Sequence, residues 1–240
     1  MRTAFLGLSL ALAALPSCGN AQSQGALISD LKLLASQENA EAIYHLGMAF
    51  HTGSGVKKDR EKALEYFRKA TDLGDPLAAY KLGCYYDGQG YGLVDDDLDL
   101  ALQHKMVAAE AGYALAQQDV ASLLARRGDF ESAVVWLERA VDQGWTDAIA
   151  TYASIHNGAE GVTKDPVKVA AYFRIFISRT DGSANQRRWL KEFEQGLTDE
   201  ELQATKLIVQ SFEPTPSELT LKALAGQRSA ELLVTKRTKT

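Results

Sequence analysis

The sequence predicts an all-α protein: an α-solenoid, a right-handed superhelix of about four stacked helix pairs closed by C-terminal capping helices. Three observations predict it. Glycines follow apolar helical patterns at Gly74, Gly112 and Gly144, 38 and 32 residues apart. Eleven residues before each stands an alanine (Ala63, Ala101, Ala133), and four residues before each alanine an aspartate (Asp59, Asp97, Asp129). A second alanine stands four residues after each glycine (Ala78, Ala116, Ala148), and Ala42, Asp165 and Val169 extend the series at either end. Offsets of this kind, repeated at a fixed period, are the mark of stacked helical units that bury their apolar faces only against one another.

Composition agrees with a folded soluble body. The 240 residues are 46% apolar and 24% charged, with a net charge of -5. An acidic balance argues against a nucleic-acid partner. With only Cys18 and Cys84, the chain has no disulfide framework and no cysteine-type zinc site.

Residues 1–21 read as a signal peptide. Arg2 is the charged start, and Ala4 to Leu15 is an apolar run of twelve residues, too short to span a bilayer. Two processing readings compete. Gly19-Asn20-Ala21 offers small residues for cleavage before Gln22, whereas Leu15-Pro16-Ser17-Cys18 resembles a lipobox in which Cys18 would carry lipid. The first sends the protein to the periplasm or the exterior. The second makes it an outer-membrane lipoprotein, touching a membrane only through that anchor.

The solenoid is expected over residues 27–180. A leading helix, Leu27–Ser36, caps units at about 42–75, 76–113, 114–145 and 146–180. Within each unit the aspartate caps a helix N-terminus, where its carboxylate accepts orphan amide bonds, and Pro166 sits at the first helical position after Asp165. Alanines seven apart (Ala63 and Ala70, Ala101 and Ala108, Ala133 and Ala140) share one face and let a neighbouring helix approach closely. The glycine ends the helix in the left-handed conformation. Tyr66-Phe67, Trp136-Leu137 and Tyr172-Phe173 fill the space between helices, and unit two departs with His104-Lys105. The other helix of each unit pairs large with small at Leu46-Gly47, Leu82-Gly83, Val120-Ala121 and Tyr152-Ala153. Residues 183–226 are expected to form the capping helices: one over Asn185 to Gln195, one opened by the capping box Thr198 to Glu201, one opened by Thr215 to Glu218. Residues 227–240 read as a polar tail, frayed at its end from Lys236 to Thr240.

Three stretches carry a family resemblance: Ala42-Ile43-Tyr44-His45-Leu46-Gly47, Gly53-Ser54-Gly55-Val56-Lys57-Lys58-Asp59, and Lys62-Ala63-Leu64-Glu65-Tyr66-Phe67-Arg68-Lys69-Ala70. This pattern resembles a Sel1-like repeat, a relative of the tetratricopeptide repeat. It recurs from Gly74-Asp75-Pro76 and again at Gly158 to Asp165. Unit three is the weakest match. It lacks the Gly-x-Gly-Val loop and runs only eight residues from Ala121 to Asp129, against twelve in units one and four.

Chemistry is not written into the chain. His45, His51, His104 and His156 have no partners at metal-ligand spacing, and no H-E-x-x-H occurs. The run Asp95-Asp96-Asp97 lacks the glycine and distal glutamate of a calcium loop. Gly88-Gln89-Gly90-Tyr91-Gly92 follows a helix and lacks the lysine of a phosphate loop. No catalytic residue, metal or cofactor is expected, and the paired cysteines of secreted relatives linked to β-lactam hydrolysis are missing.

The resemblance implies a non-catalytic scaffold or adaptor that binds a protein or peptide through the concave face of its repeats. Two narrower versions are an envelope regulator restraining a sensor and a lipid-anchored assembly factor for exported polymers. In related repeats the first helix of each pair lines the groove. That register points to Tyr44, Met48 and His51 in unit one and Tyr80, Cys84 and Asp87 in unit two. In units three and four it points to Gln118, Ser122 and Arg126, then Ser154 and Asn157. The aromatic end, at units one and two, is the expected anchor, with Cys84 open to a thiol reagent.

Overall fold

The structure, a computed structural model, describes residues 19–237. Cys18 and most of the predicted signal peptide therefore lie outside the described residues. The elements are all helical: α1 (Gly19–Ser36), α2 (Ala40–Thr52), α3 (Arg60–Asp72), α4 (Pro76–Cys84), α5 (Leu98–Glu110), α6 (Ala114–Arg126), α7 (Phe130–Asp142), α8 (Thr146–Ile155), α9 (Pro166–Thr180), α10 (Ala184–Glu194), α11 (Asp199–Ser211), α12 (Glu218–Ala225) and α13 (Gln227–Arg237). A π-helical turn, Tyr85–Gln89, prolongs α4. No strand occurs among the described residues. Helices pack in sequence, α2 on α3, α4 on α5, α6 on α7 and α8 on α9, with each pair also touching the next. This is the α-solenoid that the spacing predicts.

The periodic residues do what their chemistry requires. The side chains of Asp59, Asp129 and Asp165 each accept a bond from the backbone N–H three residues on, and Asp97 accepts from Asp99 and Leu100. Gly74, Gly112 and Gly144 have φ of 86°, 92° and 74°. A further regularity fixes the register. The backbone N–H of each capping aspartate donates to a carbonyl four residues after the Leu46, Leu82, Val120 or Tyr152 position. The pairs are Asp59 to Phe50, Asp97 to Tyr86, Asp129 to Leu124 and Asp165 to His156, at 2.9–3.0 Å. Unit three closes its shorter turn with the same bond, so the missing loop residues leave the helix register intact.

The C-terminal part departs from expectation. Helix α10 opens with a capping box of Ser183 and Gln186, and α11 with the expected box of Thr198 and Glu201. The next helix is capped by Ser217, which accepts from Thr220 N–H, and not by Thr215. Pro216 holds Thr215 out of the helical region, and the Thr215 N–H donates instead to Asp142 O at 2.9 Å. Residues 227–237, expected as a polar tail, are helical. They form α13, whose Ala230, Leu233 and Val234 lie at helical spacing and pack against Ile28, Leu31 and Leu46 of α1 and α2.

Residues 212–237 thus form a strap that runs back over the stack. Phe212 packs with Tyr172 and Ile175 of α9. Pro214 sits against Gly144, where a Cβ would come within 2.6 Å of it. Ser217 Oγ donates to Gly112 O at 2.7 Å, and Thr220 Oγ1 accepts from Ala114 N–H at 2.9 Å. Lys222 Nζ reaches Glu41 at 2.7 Å, at the first turn of α2. The two junction glycines give a comparison. At Gly74 a Cβ would meet nothing within 4 Å, whereas at Gly112 it would meet Ser217 at 3.2 Å. Gly74→Val should cost only the backbone strain of a β-branched residue at positive φ, about 1–3 kcal/mol. Gly112→Val should cost more, because it also pushes the strap away. Equal melting temperatures for the two variants would place the strap contact outside the stability of the fold.

Candidate functional site

Three side chains recur at equivalent positions wherever two units meet: one near the end of the first helix, one on the second helix, one on the first helix of the next unit. Between units one and two they are His51, Phe67 and Tyr85. Their rings lie 5.9–6.1 Å apart, and His51 Nδ1 is 3.1 Å from Tyr85 Oη. Between units two and three they are Asp87, Lys105 and Leu123. Lys105 is 2% exposed, and its Nζ donates to Asp87 at 2.6 Å and Asp119 at 2.8 Å. Tyr80 Oη donates to the same Asp119 oxygen at 3.1 Å. Between units three and four they are Ala125, Leu137 and Ile155. These smaller side chains leave an open cavity of about 480 Å3, walled also by Gln118, Ser122 and Phe130.

The eleven predicted groove residues divide along the stack. Tyr44, Tyr80 and Cys84 are buried in the core. Cys84 packs among Ala108, Ala116 and Val120, so the expectation of an open thiol and an exposed aromatic anchor is corrected. Tyr44 and Tyr80 stand three residues before Gly47 and Gly83, on the side that receives the second helix. At Gly47 a Cβ would meet Phe67 at 2.7 Å, and at Gly83 it would meet Lys105 at 2.8 Å. Met48 is half-buried and borders a cavity beside α12 and α13. His51 and Asp87 are half-buried in the first two junctions. Gln118 is half-buried, while Ser122, Arg126, Ser154 and Asn157 are exposed. Gln118, Ser122 and Arg126 converge on the third junction, and Ser154 and Asn157 border a smaller cleft with Trp189. Lys105 and Asp119 escaped the sequence reading as a pair, although His104-Lys105 stood out where every other unit places bulky apolar residues.

Protonation states follow burial. Burial pushes the Tyr85 hydroxyl up to about 12 and raises the Cys84 thiol. His51 is held below its ordinary 6.5, first by burial and then by Lys81, Lys58 and Arg60. The sign follows: below pH 6.5 the unfolded chain takes up a proton that the folded chain resists. Stability from this group is complete above 6.5 and declines as the pH falls. The melting temperature should therefore drop on acidification from pH 7 to 5, and His51→Phe should flatten part of that slope. His104 is lowered by burial as well, so His104→Gln should flatten a further part of the slope. An unchanged slope in His51→Phe would exclude His51 as its source. Among the described residues no group of three or more His, Cys, Asp or Glu could hold a metal ion.

Comparison with known proteins places this architecture. The Sel1 repeat family matches residues 40–75, 76–113 and 108–145. Unit three, the faintest to the eye, is thus included, and the matches stop before unit four. A stretch of 69 residues is 36% identical to the ERAD-associated E3 ubiquitin-protein ligase component HRD3A of Arabidopsis thaliana. That stretch is 27% of this chain, which spans only about a tenth of HRD3A. The fold is similar to that of a Sel1 repeat protein from Oxalobacter formigenes, with a TM-score of 0.61 and 22% identity over 87% of this chain and 95% of the other. A protective antigen of uropathogenic Escherichia coli with an SLR fold, c5321, aligns at a TM-score of 0.49 and 23% identity, over 81% of this chain and half of its own. Sel1 repeats generally mediate protein–protein interaction, and their solenoid is typically a non-catalytic scaffold. Residues 40–145 of this chain are thus built of three consecutive Sel1 repeats.

Proposed function

We propose that the protein is a non-catalytic scaffold or adaptor that binds a partner protein or peptide through the first-helix face of units three and four. One observation carries this reading. The strap occupies the N-terminal end of the stack, where α13 packs on α1 and α2, while Ser122, Arg126, Ser154 and Asn157 remain exposed at the other end. A mixed polar rim around an apolar cavity suits a protein surface. A photo-crosslinking residue at Ser122 or Ser154 should capture the same partner in intact cells, and one at Val135, exposed on α7, should not. Crosslinks confined to Val135 would overturn the choice of face.

The reading extends to a compartment: export from the cytoplasm of a bacterial cell, supported by Arg2 and the Ala4–Leu15 core. Mass spectrometry of the native protein tests it. A start at Gln22 fits a free periplasmic regulator, an acylated Cys18 fits an anchored assembly factor, and an intact Met1 rejects export.

A further inference from the structure

We infer that the loop between α2 and α3, together with Tyr91 of the next unit, forms a cleft that receives a short acidic segment of a partner protein. This surface belongs to units one and two and goes beyond the scaffold reading above, which concerns units three and four. The cleft is open, about 730 Å3, and is lined by Lys57, Lys58 and Arg60 together with Phe50, Tyr91 and Leu93. Asp59, Glu61 and Lys62 complete the lining, so four cations face two carboxylates in a chain whose net charge is -5. Asp59 is engaged within the fold: its side chain accepts from Lys62 N–H and lies 3.6 Å from Lys62 Nζ. Among the described residues, Lys57, Lys58 and Arg60 have no carboxylate within 4 Å.

Two independent observations mark this cleft. Tyr91 stands between Gly90 and Gly92 with φ of 54°, a left-handed conformation that glycine tolerates and a tyrosine resists. It is 54% exposed, so burial in the core does not hold it there. Its ring lies instead 3.6 Å from the Arg60 guanidinium carbon and beside the rings of His51 and Tyr85. An exposed side chain kept on a strained backbone points to a use for it. His51 senses the local field: after burial, the charges that hold its pKa down are Lys81, Lys58 and Arg60, all cations.

The surroundings then select the ligand. The corresponding loop of unit two places Asp95-Asp96 where unit one has Lys57-Lys58, directly before the capping aspartate. A nucleic acid or other long polyanion following this edge would run from cations into carboxylates, whereas a short acidic segment meets the cations alone. Phe50, Leu93 and the Tyr91 ring offer contact to an apolar side chain beside the acidic ones, a contact that inorganic phosphate cannot make.

The test uses the full chain with three probes at equal ionic strength: acetyl-Glu-Glu-Leu amide, its uncharged counterpart acetyl-Gln-Gln-Leu amide, and inorganic phosphate. In 1H–15N NMR spectra, the Glu peptide at millimolar concentration should shift the amides of Lys58, Arg60 and Tyr91, and the Gln peptide should bind roughly three- to tenfold more weakly. Added salt should weaken the Glu peptide and leave the Gln peptide unchanged. A bound carboxylate favours the imidazolium form, so the Glu peptide should also raise the pKa of His51, read from its ring protons. Lys58→Gln combined with Arg60→Gln should raise that pKa in the free chain and abolish the further rise on adding peptide. Tyr91→Gly suits the positive φ, keeps the loop and removes the ring, and it should weaken binding. Equal binding of the two peptides, phosphate bound as tightly as the Glu peptide, or a double variant that binds as the wild type does would each overturn the proposal. Crosslinking at Ser122 and Ser154 reports on the other face, so either reading can fail while the other stands.

Discussion

A chain ending at Ser211 is expected to lose on the order of 5 kcal/mol of stability and, with it, its single cooperative transition. The strap contributes Leu219 and Ala223 to the first core cluster and Ala230, Leu233 and Val234 to the cluster that joins α1 to α2. A fully buried Val or Leu side chain is worth about 1.5–3 kcal/mol, so two partly buried leucines and a valine, with two alanines, reach that order. Cooperativity should change more than the total. In an open solenoid each repeat touches only its neighbours, and the ends melt independently. Here residues 212–237 pack on unit four and on the turn at Gly144, and bond to the turn at Gly112 and to Glu41 in the first turn of α2. The strap therefore links the last unit directly to the first. The chain carries its own reporters: Trp136, Trp145 and Trp189 all lie in or beyond unit three. In urea, tryptophan fluorescence and circular dichroism should give one coincident curve for the full chain. For the shortened chain the dichroism should begin to fall first, as units one and two melt ahead of the tryptophans. Coincident curves with an unchanged midpoint in the shortened chain would show that the strap is a passenger.

What the sequence makes legible is what depends on neighbours along the chain. A capping aspartate, a glycine at positive φ and a proline at the first helical position act within one turn, so Asp59, Gly74 and Pro166 announce their helices wherever the stack places them. The strap depends on contacts across more than a hundred residues, such as Thr220 with Ala114, and no local rule reports them. Helix α13 is an intermediate case. Its stripe of Ala230, Leu233 and Val234 is visible, but it follows Gly226 and α12 directly, with no side-chain cap to mark its start. The exposure of the proposed groove residues is only partly legible, for a related reason. The first helices correspond to one another in register, as the bonds from the capping aspartates show. Burial around the helix depends on which side the second helix meets, and the small residues Gly47 and Gly83 are the signal that places Tyr44 and Tyr80 inward. At unit three the same reasoning puts Gln118 inward, three residues before Ala121, and its half-buried amide agrees.

The second large effect belongs to Lys105. It occupies the position filled by Phe67 in unit one and Leu137 in unit three, and it is the one fully buried cation among the described residues. Burial alone would lower its pKa; Asp119 and then Asp87 more than offset this and hold it above the ordinary lysine value. Removing the cation by Lys105→Met leaves Asp119 with only the Tyr80 hydroxyl and Asp87 with only Arg126, 3.9 Å away. Breaking such a pair typically costs about 3–5 kcal/mol, and the partial exposure of Asp87 and Asp119, 24% and 26%, puts the expected loss near the lower end, about 3 kcal/mol. Replacing the whole network at once should cost far less, because apolar groups of similar volume substitute for a buried ion network at little or no loss. Lys105→Met with Asp87→Ala and Asp119→Thr rebuilds the second junction with the small and uncharged residues of the third, and it should recover most of the stability lost in the single variant. The pH dependence carries an independent sign. A lysine whose folded pKa is raised contributes stability in full below its unfolded value, about 10.4, and loses it as the pH rises through the folded value. The wild-type chain should thus lose stability between about pH 10 and 12 more steeply than either variant, although ionisation of tyrosines such as Tyr85 adds a component common to all three. Urea titrations at pH 7 and pH 10.5 read both effects. A single variant as stable as the wild type at pH 7, or a triple variant no better than the single, would mean that Lys105 is held by its packing against Gly83 and not by its charge.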